Sequence, residues 1–264
     1  MKAYPYADRL IVAADFVPVT KFPVVEVRAK VMSLAEQLEG LGVGLKLNSG
    51  LRVMGYDVLR DITSLGLHGF ADLKIVDIEE TMATDGKFLA HYQPRYLTVM
   101  CNAGAVAIRA IAKELPSTRV IGVTVPTNWD EATCQGVYGC SIQEAVIRLA
   151  GIAADADLRD IVLAAKENQA VLKYGILEGD KFKHLCCNNP AIRPEWGRVK
   201  RDDQDPKRVS TVTGALQAGA QRLIVGRPIL TAVKNNEGLP QSPREAVIRI
   251  LEEIHQFVVE DKTS

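Results

Sequence analysis

The sequence has no excess of charge of either sign: 32 lysines and arginines balance 32 aspartates and glutamates among its 264 residues. No overall field therefore favours nucleic acid or an anionic membrane as the main partner, and any anion site must be local. The sequence also has no apolar stretch as long as a membrane span, and no apolar signal core follows the first methionine. We therefore expect a soluble, cytoplasmic protein that acts on a small molecule, with no nucleic acid or membrane partner.

Metal-ligating residues are few and scattered. The four histidines show no ligand spacing, and the five cysteines are odd in number and lack the CxxC spacing of a structural zinc site. These absences argue against a zinc enzyme. Reduced and mostly buried thiols are expected at Cys101, Cys134, Cys140, Cys186 and Cys187.

Short apolar runs alternate with longer helical patterns along the whole chain, which is typical of repeated βα units and a parallel sheet. Strands are predicted at Leu10–Ala14, Val43–Leu47, Gly69–Ile75, Tyr96–Met100, Val120–Val125, Asp160–Ala164, Lys183–Cys187 and Arg222–Val225. Helical patterns cover Ala29–Leu41, Ala103–Leu115, Ile142–Ala153, Thr211–Ala218 and Pro243–Val259. Eight such units, with no linker between them, predict a single (β/α)8 TIM barrel over residues 1–264.

An open doubly wound α/β sheet is the alternative architecture. Its usual mark is a glycine-rich turn that leads from a strand into a helix. Gly42-Val43-Gly44 precedes a strand instead, and no GxxxxGK[ST] phosphate loop is present. The barrel is therefore the favoured prediction.

The third predicted strand carries an acid and a base where a buried strand should be apolar. Side chains alternate across a strand, so Ala71, Leu73 and Ile75 take one face while Asp72 and Lys74 share the other. Buried charges are costly unless paired, and mutual pairing would keep both ionised. The alternative, an exposed edge strand, is less common because parallel strands are usually covered on both faces. The pair therefore indicates a functional site.

Polar residues also lie in or directly after several predicted strands. They are Asp15 after the first, Lys46 and Asn48 at the second, Asp77 after the third, Thr127 and Asn128 after the fifth, and Gly226 and Arg227 after the eighth. In a TIM barrel the carboxyl ends of the strands meet at one face, where reactive groups lie. Their shared position predicts a charged active site at the barrel mouth.

A phosphate site is predicted after the eighth strand, where this fold often binds phosphate. Gly226 would let backbone N–H groups approach the anion, and Arg227 offers a planar fork suited to phosphate oxygens. The alternative is an ordinary glycine turn with a solvated arginine. The segment at about residues 188–209 contains Arg193 and Gln204 and is longer than most connections. We predict that it is a mobile lid over the phosphate site, with a solvated loop as the alternative.

Several motifs combine into a family resemblance. They are Asp72-x-Lys74-x-x-Asp77-Ile78-x-x-Thr81, Val123-Thr124-Val125-x-Thr127, Ile192-Arg193-Pro194 and Val225-Gly226-Arg227-Pro228. Together they resemble the orotidine 5'-monophosphate decarboxylases, and the resemblance runs from Asp15 to Pro228. It implies the conversion of orotidine 5'-monophosphate to uridine 5'-monophosphate (UMP) and CO2, the last step of UMP biosynthesis, with no metal and no organic cofactor.

The resemblance also implies catalytic roles. Lys46, Asp72 and Lys74 would form an alternating charge array, completed by Asp77 from the second subunit of a homodimer. Lys74 would be the general acid that protonates C6 of the pyrimidine after CO2 leaves. Asp72 would crowd the substrate carboxylate and hold Lys74, while Lys46 would orient Asp72 and contact the ribose. Thr81 would reach across the dimer interface with Asp77.

Further substrate contacts follow from the same resemblance. They are Asp15 at the ribose, Ile78 at the substrate, Thr127 and Asn128 at the pyrimidine, and Arg193, Gln204, Gly226 and Arg227 at the lid and phosphate. Four positions depart from the usual family pattern. They are Glu79 for proline, Pro126 for leucine, Asn128 for serine and Ala191 for glycine. These departures concern base recognition and the entry to the lid, and none removes a charged group of the array.

Two other functions remain open on the sequence. One is a magnesium-dependent 3-keto-L-gulonate 6-phosphate decarboxylase or a hexulose phosphate synthase, which share the barrel and the DxKxxD element. Those relatives place an acid at the position of Lys46 to help hold the metal, and a lysine there would repel a cation. The other is a non-catalytic barrel that binds a nucleotide or phosphosugar, which would have no need of a costly charge array.

Overall fold

Eight short strands form the centre of the molecule. The computed structural model describes residues 4–177, 182–197, 209–231 and 240–261. The strands are β1 (Leu10–Ala13), β2 (Gly44–Leu47), β3 (His68–Ile75), β4 (Tyr96–Met100), β5 (Arg119–Val123), β6 (Asp160–Val162), β7 (Cys186–Asn189) and β8 (Ala220–Val225). They pair in parallel in chain order, and β1 also pairs with β8, so the barrel is closed. The predicted (β/α)8 barrel is confirmed, and the open sheet and exposed edge strand were wrong.

Helices fill the connections between the strands and surround the barrel. They are α1 (Pro23–Gln37), α2 (Ser49–Met54), α3 (Val58–Ser64), α4 (Glu79–Ala90), α5 (Ala105–Glu114), α6 (Glu131–Tyr138), α7 (Ile142–Asp155), α8 (Asn168–Leu177), α9 (Val212–Gln217), α10 (Arg227–Leu230) and α11 (Pro243–Asp261). Within the described residues, none of these helices combines the length and apolar character needed to cross a bilayer.

The largest differences from the predicted boundaries have local causes. Strand β7 begins at Cys186, three residues after the predicted Lys183, and it continues through two asparagines that were predicted to start a loop. The strand tolerates these amides because both are fully buried and hydrogen-bonded, Asn188 to Asp160 and Asn189 to Asn168. Helix α1 begins six residues before its predicted start, because exposed valines in its first turn obscure the helical period.

Two hydrophobic layers hold the barrel together. The outer layer lies between strands and helices and is large. The inner layer, inside the barrel, is small and consists of Ile11, Ala13, Phe70, Tyr96, Ile121 and Ile224. These six side chains fill the middle of the barrel, so polar groups inside it can lie only above or below them. The two ends of the barrel are thereby separated from each other.

None of the five cysteines, all of which lie in the described part of the chain, forms a disulfide, and four of them are buried, as the sequence predicts. Burial raises the pKa of the Cys101 and Cys187 thiols to about 12. Because the thiolate is the reactive form, these two thiols are inert at neutral pH.

Candidate active site

A cavity of about 470 Å³ opens at the carboxyl ends of the strands. This volume lies in the range of small-molecule sites. Its lining comprises Ala13, Asp15, Lys46, Asn48, Phe70, Asp72, Lys74, Thr98, Val123, Val125, Pro126, Thr127, Asn128, Val162, Pro190, Ala191, Arg193, Ile224, Gly226, Arg227 and Leu230. Apolar groups therefore form the floor, and polar groups from several strand ends surround it.

Four charged side chains form one continuous chain across this cavity. Lys46 Nζ lies 2.8 Å from Asp15 Oδ1 and 2.9 Å from Asp72 Oδ2. Lys74 Nζ lies 2.7 Å from the other oxygen of Asp72, Oδ1. The inner pair is buried, with 8% of the Lys46 and Asp72 side chains exposed, whereas Asp15 and Lys74 are 43% and 47% exposed. The array alternates in sign, is neutral as a whole and presents its outer members to the cavity.

Ionisation of the inner pair is set by its neighbours. Burial alone would raise the pKa of Asp72, but the charges and hydrogen bonds of Lys46 and Lys74 outweigh it and hold that pKa at about 2. Burial alone would lower the pKa of Lys46, but Asp72 and Asp15 raise it above its usual value. Both groups therefore stay charged across the physiological pH range.

The strand that carries the array is irregular at this point. The pairing of β3 with β4 passes from Ala71 opposite Leu97 directly to Ile75 opposite Val99, so it shifts register between them. Lys74 has a φ of 50°, in the left-handed region. A residue with a Cβ adopts that region at a cost of about 1–2 kcal/mol. Strained backbone at a charged cavity is a feature of functional sites.

The opposite side of the cavity carries two arginines. Arg193 is buried and donates from Nη1 to the carbonyl of Ile192 at 2.9 Å, while Arg227 is exposed at the start of α10. Gly226 lies between β8 and α10 on the same rim. Ala191, two residues before Arg193, has a φ of 61°. A glycine would adopt this backbone conformation without strain. Both arginines therefore line the same cavity as the neutral array.

No cluster of three or more His, Cys, Asp or Glu side chains that could hold a metal ion occurs among the described residues. Asp15 and Asp72 would be the obvious carboxylate ligands at this mouth. Lys46 Nζ instead lies between them and donates to both. Its ammonium supplies the positive charge that a bound cation would otherwise supply.

A family model described as Orotidine 5'-phosphate decarboxylase / HUMPS family matches residues 8–239. The chain belongs to this family. The matched region includes all eight strands and the whole charge array.

Individual members of the orotidine 5'-phosphate decarboxylase / HUMPS family agree with this assignment. A protein from Sphingopyxis alaskensis named orotidine 5'-phosphate decarboxylase is 35% identical over 204 residues, 75% of this chain and 85% of that protein. One of the same name from Paramagnetospirillum magneticum is 32% identical over 239 residues, 86% of this chain and 93% of its own. The crystal structure of orotidine 5'-phosphate decarboxylase from Lactobacillus acidophilus superposes with a TM-score of 0.70 at 22% identity, covering 92% of this chain and 99% of that one. The last similarity supports the fold alone.

The structure brings most of the predicted site residues of this family member to one cavity. Asp15, Lys46, Asp72, Lys74, Thr127, Asn128, Arg193, Gly226 and Arg227 all line it. Gln204 lies outside the described residues, as does half of the predicted lid, of which 188–197 and 209 are described. The first two residues of that segment belong to β7 rather than to a loop.

Three predicted residues lie outside this cavity. Asp77, Ile78 and Thr81 are exposed at the end of β3 and the start of α4. Asp77 accepts a hydrogen bond from the backbone N–H of Ile78 and lines a neighbouring open groove of about 720 Å³. Lys74 lines both the cavity and this groove. The groove therefore begins where the charge array ends.

One polar lining residue was missed by sequence reasoning. Thr98 on β4 is 1% exposed, and its hydroxyl lies 2.8 Å from Asp72 Oδ1. The available signal was the single threonine in the strand Tyr96–Met100, whose other members are apolar or aromatic. A strand buried on both faces has no reason to carry a hydroxyl unless a partner binds it.

Proposed function

We propose that this protein decarboxylates orotidine 5'-monophosphate to UMP and CO2 without a metal or an organic cofactor. The reaction would be the last step of UMP biosynthesis and would take place in the cytoplasm. The observation that carries the proposal is the alternating charge array at the mouth of a barrel of this family, which consists of Asp15, Lys46, Asp72 and Lys74. The charged atoms of neighbouring members of this array lie 2.7–2.9 Å apart.

The chemical step breaks the bond between C6 of the pyrimidine and its carboxylate carbon. CO2 leaves without the bonding electron pair, which stays on C6, and Lys74 Nζ then donates a proton to that carbon. Asp72 disfavours a second carboxylate beside it, while the ammonium of Lys74 favours negative charge at C6. Both effects favour the transition state over the bound substrate, and a fixed, water-poor array requires little reorganisation.

The rest of the cavity would bind the nucleotide. Asp15 and Lys46 would contact the ribose, and Thr127 and Asn128 on the rim after β5 would contact the pyrimidine. Arg193, Gly226 and Arg227 offer a local positive rim for the phosphate on the β7–β8 side of the same cavity. Phosphate binding there is remote from the reacting carbon, so its binding energy is available to order the site.

The position of Lys46 argues against the magnesium-dependent phosphosugar alternative. A divalent ion held by Asp72 would have to lie where Lys46 Nζ now donates to Asp72 Oδ2 at 2.9 Å. The raised pKa of Lys46 keeps its charge in place, and like charges at this distance repel strongly. A metal and Lys46 would therefore exclude each other.

We also propose that the active unit is a homodimer in which Asp77 and Thr81 complete the site of the partner. Asp77 is exposed in the groove that Lys74 shares with the cavity, and Thr81 is exposed in the first turn of α4. Two exposed apolar side chains line the same groove as Asp77, Val76 at 52% and Phe88 at 66% exposure, and Ile78, which follows Asp77, is 68% exposed. Apolar side chains grouped on one surface favour a protein interface.

The direct test of the activity is the loss of orotidine 5'-monophosphate absorbance on addition of EDTA-treated protein, with UMP identified by chromatography. Conversion without metal supports the proposal. Tight binding of the nucleotide without conversion would support the non-catalytic barrel. Activity that appears only with magnesium and a sugar phosphate would support the phosphosugar enzyme.

The shared site is tested by mixing two inactive variants. Lys74→Ala and Asp77→Asn should each abolish turnover alone. In a mixed dimer one site carries both changes and the other carries neither, so random exchange of subunits should restore about a quarter of wild-type turnover. No recovery after exchange, shown by mass-tagged subunits, would overturn the shared site.

A further inference from the structure

The irregular part of β3 faces a single residue of β4. Asp72, Leu73 and Lys74 lie between the two paired positions Ala71 and Ile75, and on β4 only Thr98 lies between their partners Leu97 and Val99. Three residues of one strand thus oppose one residue of the next, which is a β-bulge. Bulges beside active sites commonly redirect a side chain.

The hydroxyl of Thr98 makes two hydrogen bonds across the bulge. Its hydroxyl donates to Asp72 Oδ1 at 2.8 Å and accepts from the backbone N–H of Lys74 at 3.0 Å. The side chain is 1% exposed, so water does not compete for either bond. One hydroxyl therefore binds both the carboxylate of Asp72 and the left-handed backbone of Lys74.

The other bonds to Asp72 do not make this contact redundant. Oδ2 of Asp72 accepts from buried Lys46, but among the described residues Oδ1 otherwise accepts only from Lys74 Nζ, whose side chain is 47% exposed. When Lys74 donates its proton to a substrate, it stops being a cationic partner of that oxygen. Thr98 is neutral and buried, so its bond to Asp72 persists through that step.

We propose that Thr98 is a positioning residue for the decarboxylation. Its hydroxyl fixes the carboxylate of Asp72 and the backbone of Lys74, so that the ammonium group points at the reacting carbon. The inference rests on the proposed function, because it concerns the same array. It adds a residue that acts through Asp72 and Lys74 and does not itself touch the substrate.

Two substitutions at one position separate the hydroxyl from the methyl group. Thr98→Val keeps the shape and loses the hydroxyl, whereas Thr98→Ser keeps the hydroxyl and loses the methyl. Thr124→Val is the matched control: Thr124 is also fully buried, its hydroxyl donates to the carbonyl of Val162, and it does not line the cavity. All variants are compared with wild type for kcat, KM, the Kd of UMP and thermal stability.

The expected result is a loss of kcat of about 10- to 100-fold in Thr98→Val, the size of effect that a misplaced reacting group produces. The Kd of UMP should stay within about threefold of wild type, since no direct ligand contact is removed. Thr98→Ser should recover kcat to within about threefold. Thr124→Val should lose stability and keep its kcat. If Thr98→Val does not fold, Thr98→Ala, which relieves crowding and also lacks the hydroxyl, takes its place.

Other results would overturn the inference. Wild-type kcat in folded Thr98→Val or Thr98→Ala would show that the hydroxyl does not position the array. An equal loss of kcat in Thr98→Ser, or in the Thr124→Val control, would assign the effect to packing. Failure of the proposed function is distinguishable, because wild type itself would then leave orotidine 5'-monophosphate unchanged.

Discussion

The two ends of the barrel carry similar sets of buried charges with different surroundings. At the mouth, Asp72 binds two lysines beside a cavity of about 470 Å³. At the base, Asp160 on β6 binds two arginines, Arg119 at 2.6 Å and Arg222 at 2.5 Å. The inner hydrophobic layer lies between the two clusters. The barrel therefore contains the same type of ion pairing twice.

The base cluster is more closely packed, although Arg119 is 32% exposed, and this is the main difference. The side chain of Asp160 is 2% exposed, and both of its oxygens accept hydrogen bonds. Oδ1 accepts from Arg222 and Asn188, and Oδ2 accepts from Arg119. The guanidinium of Arg222 lies over the ring of Tyr96 at 5.5 Å. At the mouth, by contrast, Asp15 and Lys74 remain about half exposed and face open volume. We therefore assign stabilisation of the barrel to the base and the binding of a ligand to the mouth. This assignment agrees with the usual location of active sites at the carboxyl-terminal face of the barrel and of stabilising residues at the opposite face.

The largest expected effect is on turnover at the mouth. Lys74→Ala removes the proposed proton donor, and kcat should fall by about 10³-fold or more. The free energy of unfolding should change by less than about 1 kcal/mol, because the side chain is half exposed. Steady-state kinetics and urea unfolding measure the two quantities. Lys166→Ala, an exposed lysine after β6 that does not line the cavity, is the control and should keep wild-type turnover.

The next effect is on stability at the base. Asp160→Asn keeps the shape but leaves Arg222 buried without its counter-charge, which should cost about 3–5 kcal/mol of unfolding free energy. The kcat of the molecules that remain folded should be unchanged. Urea unfolding measures the change in unfolding free energy. The control is Asp157→Asn, which should lose almost no unfolding free energy because the side chain of Asp157 is 87% exposed. A stable Asp160→Asn protein would contradict the structural role of the base.

A smaller effect is expected from acid. The pKa of Asp72 is about 2 in the folded protein, below its unfolded value of 3.8, so the unfolded chain binds a proton first as pH falls. Its contribution of about 2 kcal/mol is complete above the unfolded pKa and is lost as pH falls through the folded one. Urea unfolding at several pH values should show wild type losing this much more than Asp72→Asn between pH 5 and 2. If the unfolding free energies of wild type and Asp72→Asn fell equally with pH, that result would contradict the charged state assigned to Asp72.

The smallest effect concerns backbone strain at the mouth. Ala191 has a φ of 61°, and glycine adopts this conformation without the clash of a Cβ. Relief of strain should exceed the added flexibility of the unfolded chain, so Ala191→Gly should raise the unfolding free energy by about 0.5–1 kcal/mol. Thermal unfolding measures the change. Ala112→Gly, on α5, should be destabilising instead, because glycine disfavours a helix interior.

The mouth was more predictable from sequence than the base. Asp72 and Lys74 stand out because strand alternation alone places two charges on one buried face. The base cluster joins Arg119, Asp160 and Arg222, which are separated by 41 and 62 positions along the chain and meet only when the barrel closes. Each of them alone resembles an ordinary charged residue at or near a strand start.

The bulge was not predictable for a related reason. The segment Asp72-Leu73-Lys74 contains no glycine to suggest a left-handed backbone, and the conformation of Lys74 is supported by Thr98 on the next strand. The buried asparagines of β7 are similar, since their partners lie on other elements. Asp77 and Thr81 differ again, because the role proposed for them lies in a second subunit.

The most direct test of this account is the turnover per folded molecule of Asp160→Asn, measured beside that of Lys74→Ala in the same assay. The account predicts wild-type turnover for folded Asp160→Asn despite its low stability, and almost none for Lys74→Ala despite its near-normal stability. A loss of turnover in folded Asp160→Asn, or near-normal turnover in Lys74→Ala, would contradict the separation of stability at the base from chemistry at the mouth.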